Sequence, residues 1–436
     1  MKCFGVLPSR SWQEKLLPLR QQADIVRGWL KVRLDQVVPQ LMEREDLDMW
    51  ILVSREYNED PVVLTMLPPT AMNASWFRTI LVFSRQADGT VKRYTMARVP
   101  KASAYKVKSR SWLLQYFENV WDYTEEDEWT CLGRLVRQEK PKSIGLNYSR
   151  TFQLADGISA TEKEQVEEAI GPEYAGVVKS AERLAVGWLE TRTEPELQAY
   201  TGIMQIAHGI IAEAFSSQVV HPGVTTSEDV VWWIRQRIHD LGLKAWFHPS
   251  VSIHRCEDQA PSPLGEDVIL AGDVLHCDVG LEYLGLCTDT QQNAYVLKRE
   301  EDDAPQGIKD ALADGNLLQD ILVENFVAGL TGNQMLERAM KDAEAQGLRA
   351  TIYTHPIGLH GHAAGTVVGA LGVPIAGVGD YELFENTCFS YELNVVRSVP
   401  EWGGQDLRIA LEQDVLFAGG TVHYLAGRQT QLHLIS

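Results

Sequence analysis

The second half of the chain carries Asp278, Asp289, His362, Glu392 and Glu412, in that order. Their surroundings read CDVGLEYLGLCTDT, HPIGLHGHAAG, FSYELN and LRIALEQDV, and the four carboxylates stand in apolar, strand-like runs. Carboxylates gathered in one core repel one another and lose their hydration. A pair of divalent cations removes both penalties. Four carboxylates and one neutral imidazole nearly balance two such ions, so the set points to a two-metal centre with an oxygen-rich shell.

Each residue also has a plainer reading. Side chains alternate along a strand, so His276 and Asp278 share one face, and Cys287, Asp289 and Gln291 share a face of the next run. Antiparallel pairing around Gly280 and Gly285 then brings Asp278 and Asp289 side by side. Taken alone, that pair reads equally as two edge carboxylates. Glu392 lies in a β-prone run, where a lone carboxylate is costly. Glu412 shares its parity with Arg408 and Asp414, which leaves an Arg408–Glu412 ion pair, or Asp414 as ligand, as competing readings. His355, His360 and His362 stand among glycines, which let backbone approach a site closely, and read as ligands or proton carriers. His208, His254 and His276 read as structural histidines. Cys277 and Cys287 flank the two aspartates, but a soft thiolate does not suit an oxygen-rich set, and packing accounts for both.

At 436 residues the chain is too long for one ordinary core, so two domains are expected. Its net charge of −19 argues against a nucleic-acid or anionic-membrane partner. No run approaches the roughly 20 apolar residues that span a bilayer. The opening MKCFGVLPSRSWQEKLLPLR lacks the apolar stretch of a signal peptide. Six cysteines without a CxxC pair fit reduced thiols, so a cytoplasmic location is expected.

The first part reads as a helical stretch over 12–44, a buried strand at MWILVS, and two strands around Asp88-Gly89. A short strand at SIGLN follows, then helical segments over 161–170 and 174–189. From Thr193 the pattern changes. Thr193-x-x-Glu196 and Thr225-x-x-Glu228 read as capping boxes opening two helices, and further helices are predicted over 308–326 and 333–346, with strands between and after them.

These residues resemble the pita-bread metallopeptidases: aminopeptidase P, prolidase and methionine aminopeptidase, with creatinase as a non-metal relative. The resemblance covers most of the chain. It implies an α/β chain with a creatinase-type N-terminal α/β domain over 1–178 and a pita-bread α+β catalytic domain over 179–436. Asp278 would chelate the first metal, and Asp289 and Glu412 would bridge the two. Gly361-His362-Ala363-Ala364-Gly365 fits the family's Gly-His-x-x-Gly pattern, so His362 would bind the second metal with Glu392, which also carries the proton. His355 and His360 complete the expected catalytic set. Mn²⁺ is the expected ion, with Co²⁺, Zn²⁺ and Fe²⁺ as alternatives.

The resemblance implies that a pair of such ions would activate a water for attack on the scissile carbonyl, with Glu392 relaying a proton to the leaving nitrogen. The implied enzyme is a homodimeric Xaa-Pro aminopeptidase or dipeptidase acting on short peptides. The N-terminal domain, with apolar residues around Trp76, would shape access to the site. Three departures from the family bear on the substrate. RCEDQAPSPLGEDVIL lacks the family's histidine before the first aspartate strand, and GTVVGALGVP lacks the one after the Gly-His-x-x-Gly pattern. The His segment and the Arg–Glu segment are also longer by a residue or two. They keep open a metal-dependent hydrolase or lyase acting on a small amide or related metabolite.

Overall fold

The apolar runs MWILVSR and RTILVFSR are buried along almost their whole length and form the centre of a mixed six-stranded sheet. The computed structural model describes residues 12–68, 78–98, 113–260 and 262–436. The sheet belongs to the first of two units, Pro18–Thr193, and contains β1 (Met49–Arg55), β2 (Arg78–Arg85), β3 (Val91–Met96), β4 (Glu118–Asn119), β5 (Ile144–Leu146) and β6 (Val178–Ser180). Its order is β4-β3-β2-β1-β5-β6. The β2–β3 hairpin turns at Asp88-Gly89, where Gly89 has φ 84° and Asp88 accepts from Thr90 N at 3.0 Å. Helices Glu128–Glu139 and Ala160–Ile170 cover one face through Leu132, Leu135, Val136 and Val166.

The helix predicted over 174–189 is instead a short 3-10 helix at Pro172–Val177, strand β6 and an α-helix over Glu182–Glu190. Val178 pairs in parallel with Ile144, so the edge of β5 captures a segment whose local pattern favours helix. The apolar stretch around Trp76 lies outside the described residues.

The second unit is Glu194–Ser436, with the described residues up to Leu17. Its strands are β7 (Lys244–Ala245), β8 (Ser250–His254), β9 (Val274–Tyr283), β10 (Leu286–Val296), β11 (Arg349–Ile352), β12 (His355–Pro356), β13 (Thr387–Val399), β14 (Gln405–Ala418), β15 (Thr421–Tyr424) and β16 (His433–Ile435). They run in the order β11-β13-β14-β10-β9-β7, with β8 also on β9, β12 on β13, β15 on β14 and β16 on β10. Two long hairpins, β9–β10 and β13–β14, dominate this sheet. They meet at a seam where Gln291 pairs with Glu412.

Helix Glu194–Ala214 packs on β9 and β10, and helix Gln306–Asn325 on β13 and β14. Phe389, Tyr391, Leu393 and Val395 of β13, with Leu407, Ile409 and Leu411 of β14, form the core beneath the second helix. Burying each such side chain contributes about 1.5–3 kcal/mol. Strand alternation then commits Ser390, Glu392, Arg408, Ala410, Glu412 and Asp414 to the opposite face. Among the described residues no helix is long and apolar enough to cross a membrane, and Cys131, Cys256, Cys277, Cys287 and Cys388 are free thiols.

Helix Ser227–Asp240 is capped by Thr226 with Asp229, one residue on from the predicted pair. The hydroxyl of Thr225 instead accepts from His221 N at 2.9 Å. Thr226→Ala should therefore lower the stability of this unit by about 1 kcal/mol, read from urea unfolding. Glu228→Gln should change it by under about 0.5 kcal/mol; the reverse ranking would return the cap to Thr225.

Candidate metal centre

Strand register sets the site out in rows across the sheet. Asp278 of β9 is opposite Gln291 of β10, Gln291 is opposite Glu412 of β14, and Glu412 is opposite Glu392 of β13. One step along, Asp289 is opposite Gly280, Asp414 is opposite Ser390, and Ser390 is opposite His355 of β12. Asp278 and Asp289 are thus diagonal neighbours on one face rather than directly paired. Diagonal positions lie about 7–8 Å apart, within reach of side chains leaning together. Asp278, Asp289 and Glu412 offer oxygens within 4.8 Å of one another.

His355 is the histidine nearest the carboxylates. Its Nε2 lies 3.8 Å from Asp289 Oδ2, 3.8 Å from Glu412 Oε1 and 4.0 Å from Glu392 Oε2. Its Nδ1–H donates to the Pro356 carbonyl at 2.9 Å, which leaves the Nε2 lone pair aimed at the acids with no hydrogen-bond partner. His362 stands beside it, ring centroids 4.8 Å apart and nearly perpendicular. Asp289, His355 and His362 form a second group of atoms within 4.8 Å, and His355, Glu392 and Glu412 a third. His355 is buried and His362 exposed. Among the described residues His360 belongs to no such group.

The histidine loop is tied down by Cys287 N donating to Gly358 O at 2.7 Å and Ala363 N to Pro356 O at 3.0 Å. Trp246 props it from the side. A Cβ on Gly361 would fall 2.4 Å from the Trp246 ring, and one on Gly280 would fall 2.3 Å from Trp246 Nε1. Both glycines are therefore steric requirements of that indole, which donates to Thr288 O at 2.8 Å.

Asp414, the competing ligand, is buried on the same face, accepts from Asp289 N at 3.2 Å and belongs to none of the groups. Arg408 donates to the Tyr353 hydroxyl at 3.0 Å. No lysine or arginine among the described residues forms an ion pair with Asp278, Asp289, Glu392 or Glu412. Burial pushes Asp278 up to about 6, and burial with the charge of Asp278 pushes Glu392 up to about 8. Asp289 and Glu412 are raised well above the usual carboxylate range, by burial first and then by neighbouring acids. Asp278 Oδ1, Asp289 Oδ1 and Glu412 Oε2 are buried without a hydrogen-bond partner. Orphaned acceptor oxygens around a bare imidazole nitrogen fit hard or borderline divalent ions. Cys277 and Cys287 are buried outside these groups, in keeping with a packing role.

Residues 202–417 match the profile of metallopeptidase family M24. This segment is a domain of that family. Among curated proteins none matches the chain. Among solved structures, an X-Pro aminopeptidase from Thermotoga maritima is similar at TM-score 0.62 and 17% identity, over 90% of this chain and 99% of that one. A dipeptidase from Mycobacterium ulcerans gives TM-score 0.60 and 15% identity, over 94% and 99%. An Xaa-Pro dipeptidase from Bacillus anthracis gives TM-score 0.57 and 16% identity, over 96% and 99%. At these identities the likeness carries the fold: an N-terminal mixed α/β domain and a C-terminal antiparallel pita-bread domain.

The sequence alone assigns no functional role to Trp246 or Gln291. The strand parity that Gln291 shares with Asp289 was the available signal. Nothing local marked Trp246, whose role depends on two glycines distant in sequence.

The raised carboxylates give the metal-free protein a distinct pH response. The ordinary values are 3.8 for Asp278 and 4.5 for Glu392, so the native state holds protons that the unfolded chain has already released. Stability should fall as pH rises from about 4 to about 8. Melts in excess chelator should show Tm dropping across that range, and added Mn²⁺ should restore it most at the alkaline end. A Tm independent of pH in chelator would contradict the buried cluster.

Proposed function

We propose that the chain is a dinuclear-metal exopeptidase of the aminopeptidase P or prolidase type, cleaving the bond before proline in short peptides. The observation that carries this reading is the row of mutually repelling carboxylates, Asp289 and Glu412 buried and Asp278 and Glu392 half-buried, closed by the Nε2 of His355. When bound, two divalent ions, Mn²⁺ foremost, would supply Lewis acidity and lower the pKa of water toward ~7. Asp278 would hold one ion, Asp289 and Glu412 would be shared, and His362 and Glu392, each grouped with His355 rather than with one another, would serve the second. His355, nearest of the histidines to the acids, adds a nitrogen donor or steadies negative charge on the scissile carbonyl. His360 lies outside the donor groups and would act in turnover.

Glu392 Oε2 is the oxygen turned toward the cluster. It takes a proton from the attacking water and delivers it to the departing proline nitrogen. The activities named for structural relatives, an X-Pro aminopeptidase and an Xaa-Pro dipeptidase, support the substrate class. In this reading the enzyme works as a cytoplasmic homodimer whose N-terminal domain limits the length of peptide admitted.

An Xaa-Pro peptide panel, run with Mn²⁺, Co²⁺, Zn²⁺ and Fe²⁺ and with small amides alongside, tests the substrate. Cleavage of the amides alone would replace the peptide assignment. Glu392→Gln keeps the shape but cannot carry the proton, and turnover should fall on the order of 10²–10⁴-fold in a folded protein. Near-normal turnover would remove Glu392 as proton carrier. Elemental analysis separates the histidines: His362→Ala and His355→Ala should each lower metal content, whereas His360→Ala should keep it and lose turnover. Full metal content in His355→Ala would restrict that residue to charge stabilisation.

A further inference from the structure

Gln291 is the uncharged member of the row of acids, opposite Asp278 on one side and Glu412 on the other. Its amide is buried and engaged at both ends. Nε2 donates to Glu392 Oε1 at 2.7 Å, and Oε1 lies 2.8 Å from His276 Nε2. The opposite orientation of the amide would set its oxygen against the carboxylate. With the amide oxygen as acceptor, His276 Nε2 carries the hydrogen and Nδ1 the lone pair. That lone pair faces Ser252 Oγ at 3.4 Å, on the residue paired with His276 across β8 and β9. Donation therefore runs one way, from Ser252 to His276 to Gln291 to Glu392. The two oxygens of Glu392 are made unequal: Oε1 is taken by the amide, and Oε2 faces His355.

We infer that Gln291, clamped by His276, is a positioning residue that fixes the orientation of Glu392 and reserves its Oε2 for the metal-binding face. The residue type follows from the surroundings. A lysine could hold the same oxygen but would place a cation where the ions must sit. A further carboxylate would repel the four already present. A neutral amide supplies a donor and adds no charge. This inference rests on Glu392 serving as a ligand and proton carrier, and the test separates the two ideas.

The full-length protein is loaded with Co²⁺, and its visible absorption is read before any substrate is added. Gln291→Leu should alter the Co²⁺ spectrum and lower kcat by roughly 10–100-fold with KM nearly unchanged. His276→Leu should act in the same direction, and the double variant should be no worse than Gln291→Leu alone, because the histidine acts through the amide. His276→Gln, which restores an N–H donor, should recover most of kcat. If Gln291→Leu melts early, Gln291→Asn keeps an uncharged amide one methylene short and is read the same way. A wild-type spectrum and kcat in the Gln291 variant overturns the positioning role while leaving the metal centre standing. Losses that multiply in the double variant overturn the His276 link. A wild-type protein that takes up no Co²⁺ overturns the metal reading and this inference with it.

Discussion

Everything in the second unit depends on holding like charges together out of water. Asp278, Asp289, Glu392 and Glu412 come from four strands, and only the backbone ladder aligns them. A sheet does this well because its side-chain period is two. Once Phe389, Tyr391 and Leu393 are committed to the helix-covered core, Glu392 has no choice of face. A slip of one residue in β13 or β14 would bury the acids in the apolar layer and expose the core. The hydrophobic pattern and the metal-binding pattern therefore enforce the same register.

Much of this was legible in the sequence because it is local. Alternation in CFSYELNVV and LRIALEQDV assigned the faces, and Asp88-Gly89 announced its hairpin. Where the sequence misled, a distant partner decided. The segment 174–189 has helical character, yet Val178 is taken by the edge of β5. Thr225 and Thr226 each precede an acid by three residues, and only the way the chain arrives from His221 selects the second. The pairing of His355 with Ser390 could not be read from a glycine-rich loop. From sequence alone His276 reads as structural. It does lie outside the donor groups, but it holds Gln291, which holds Glu392.

The three histidines of one loop are sorted by packing rather than by composition. A two-residue strand fixes His355 against β13, and the hydrogen bond from its own Nδ1 to the next carbonyl sets the tautomer. His362 follows a glycine that Trp246 will not allow to be anything else. The aromatic wall and the donor set are thus one construction: a side chain at position 361 would disturb both.

The seam between the two hairpins has a mechanical meaning. Each hairpin is a continuous ladder in its own right, but between them the pairing narrows to Gln291 with Glu412. Asp278 and Asp289 stand on one side of that line, and Glu392 and Glu412 on the other. Without cations these acids, once ionised, would push the halves apart where the ladder is thinnest. Bound cations would act as rivets, driven through the sheet at the place where it is easiest to open.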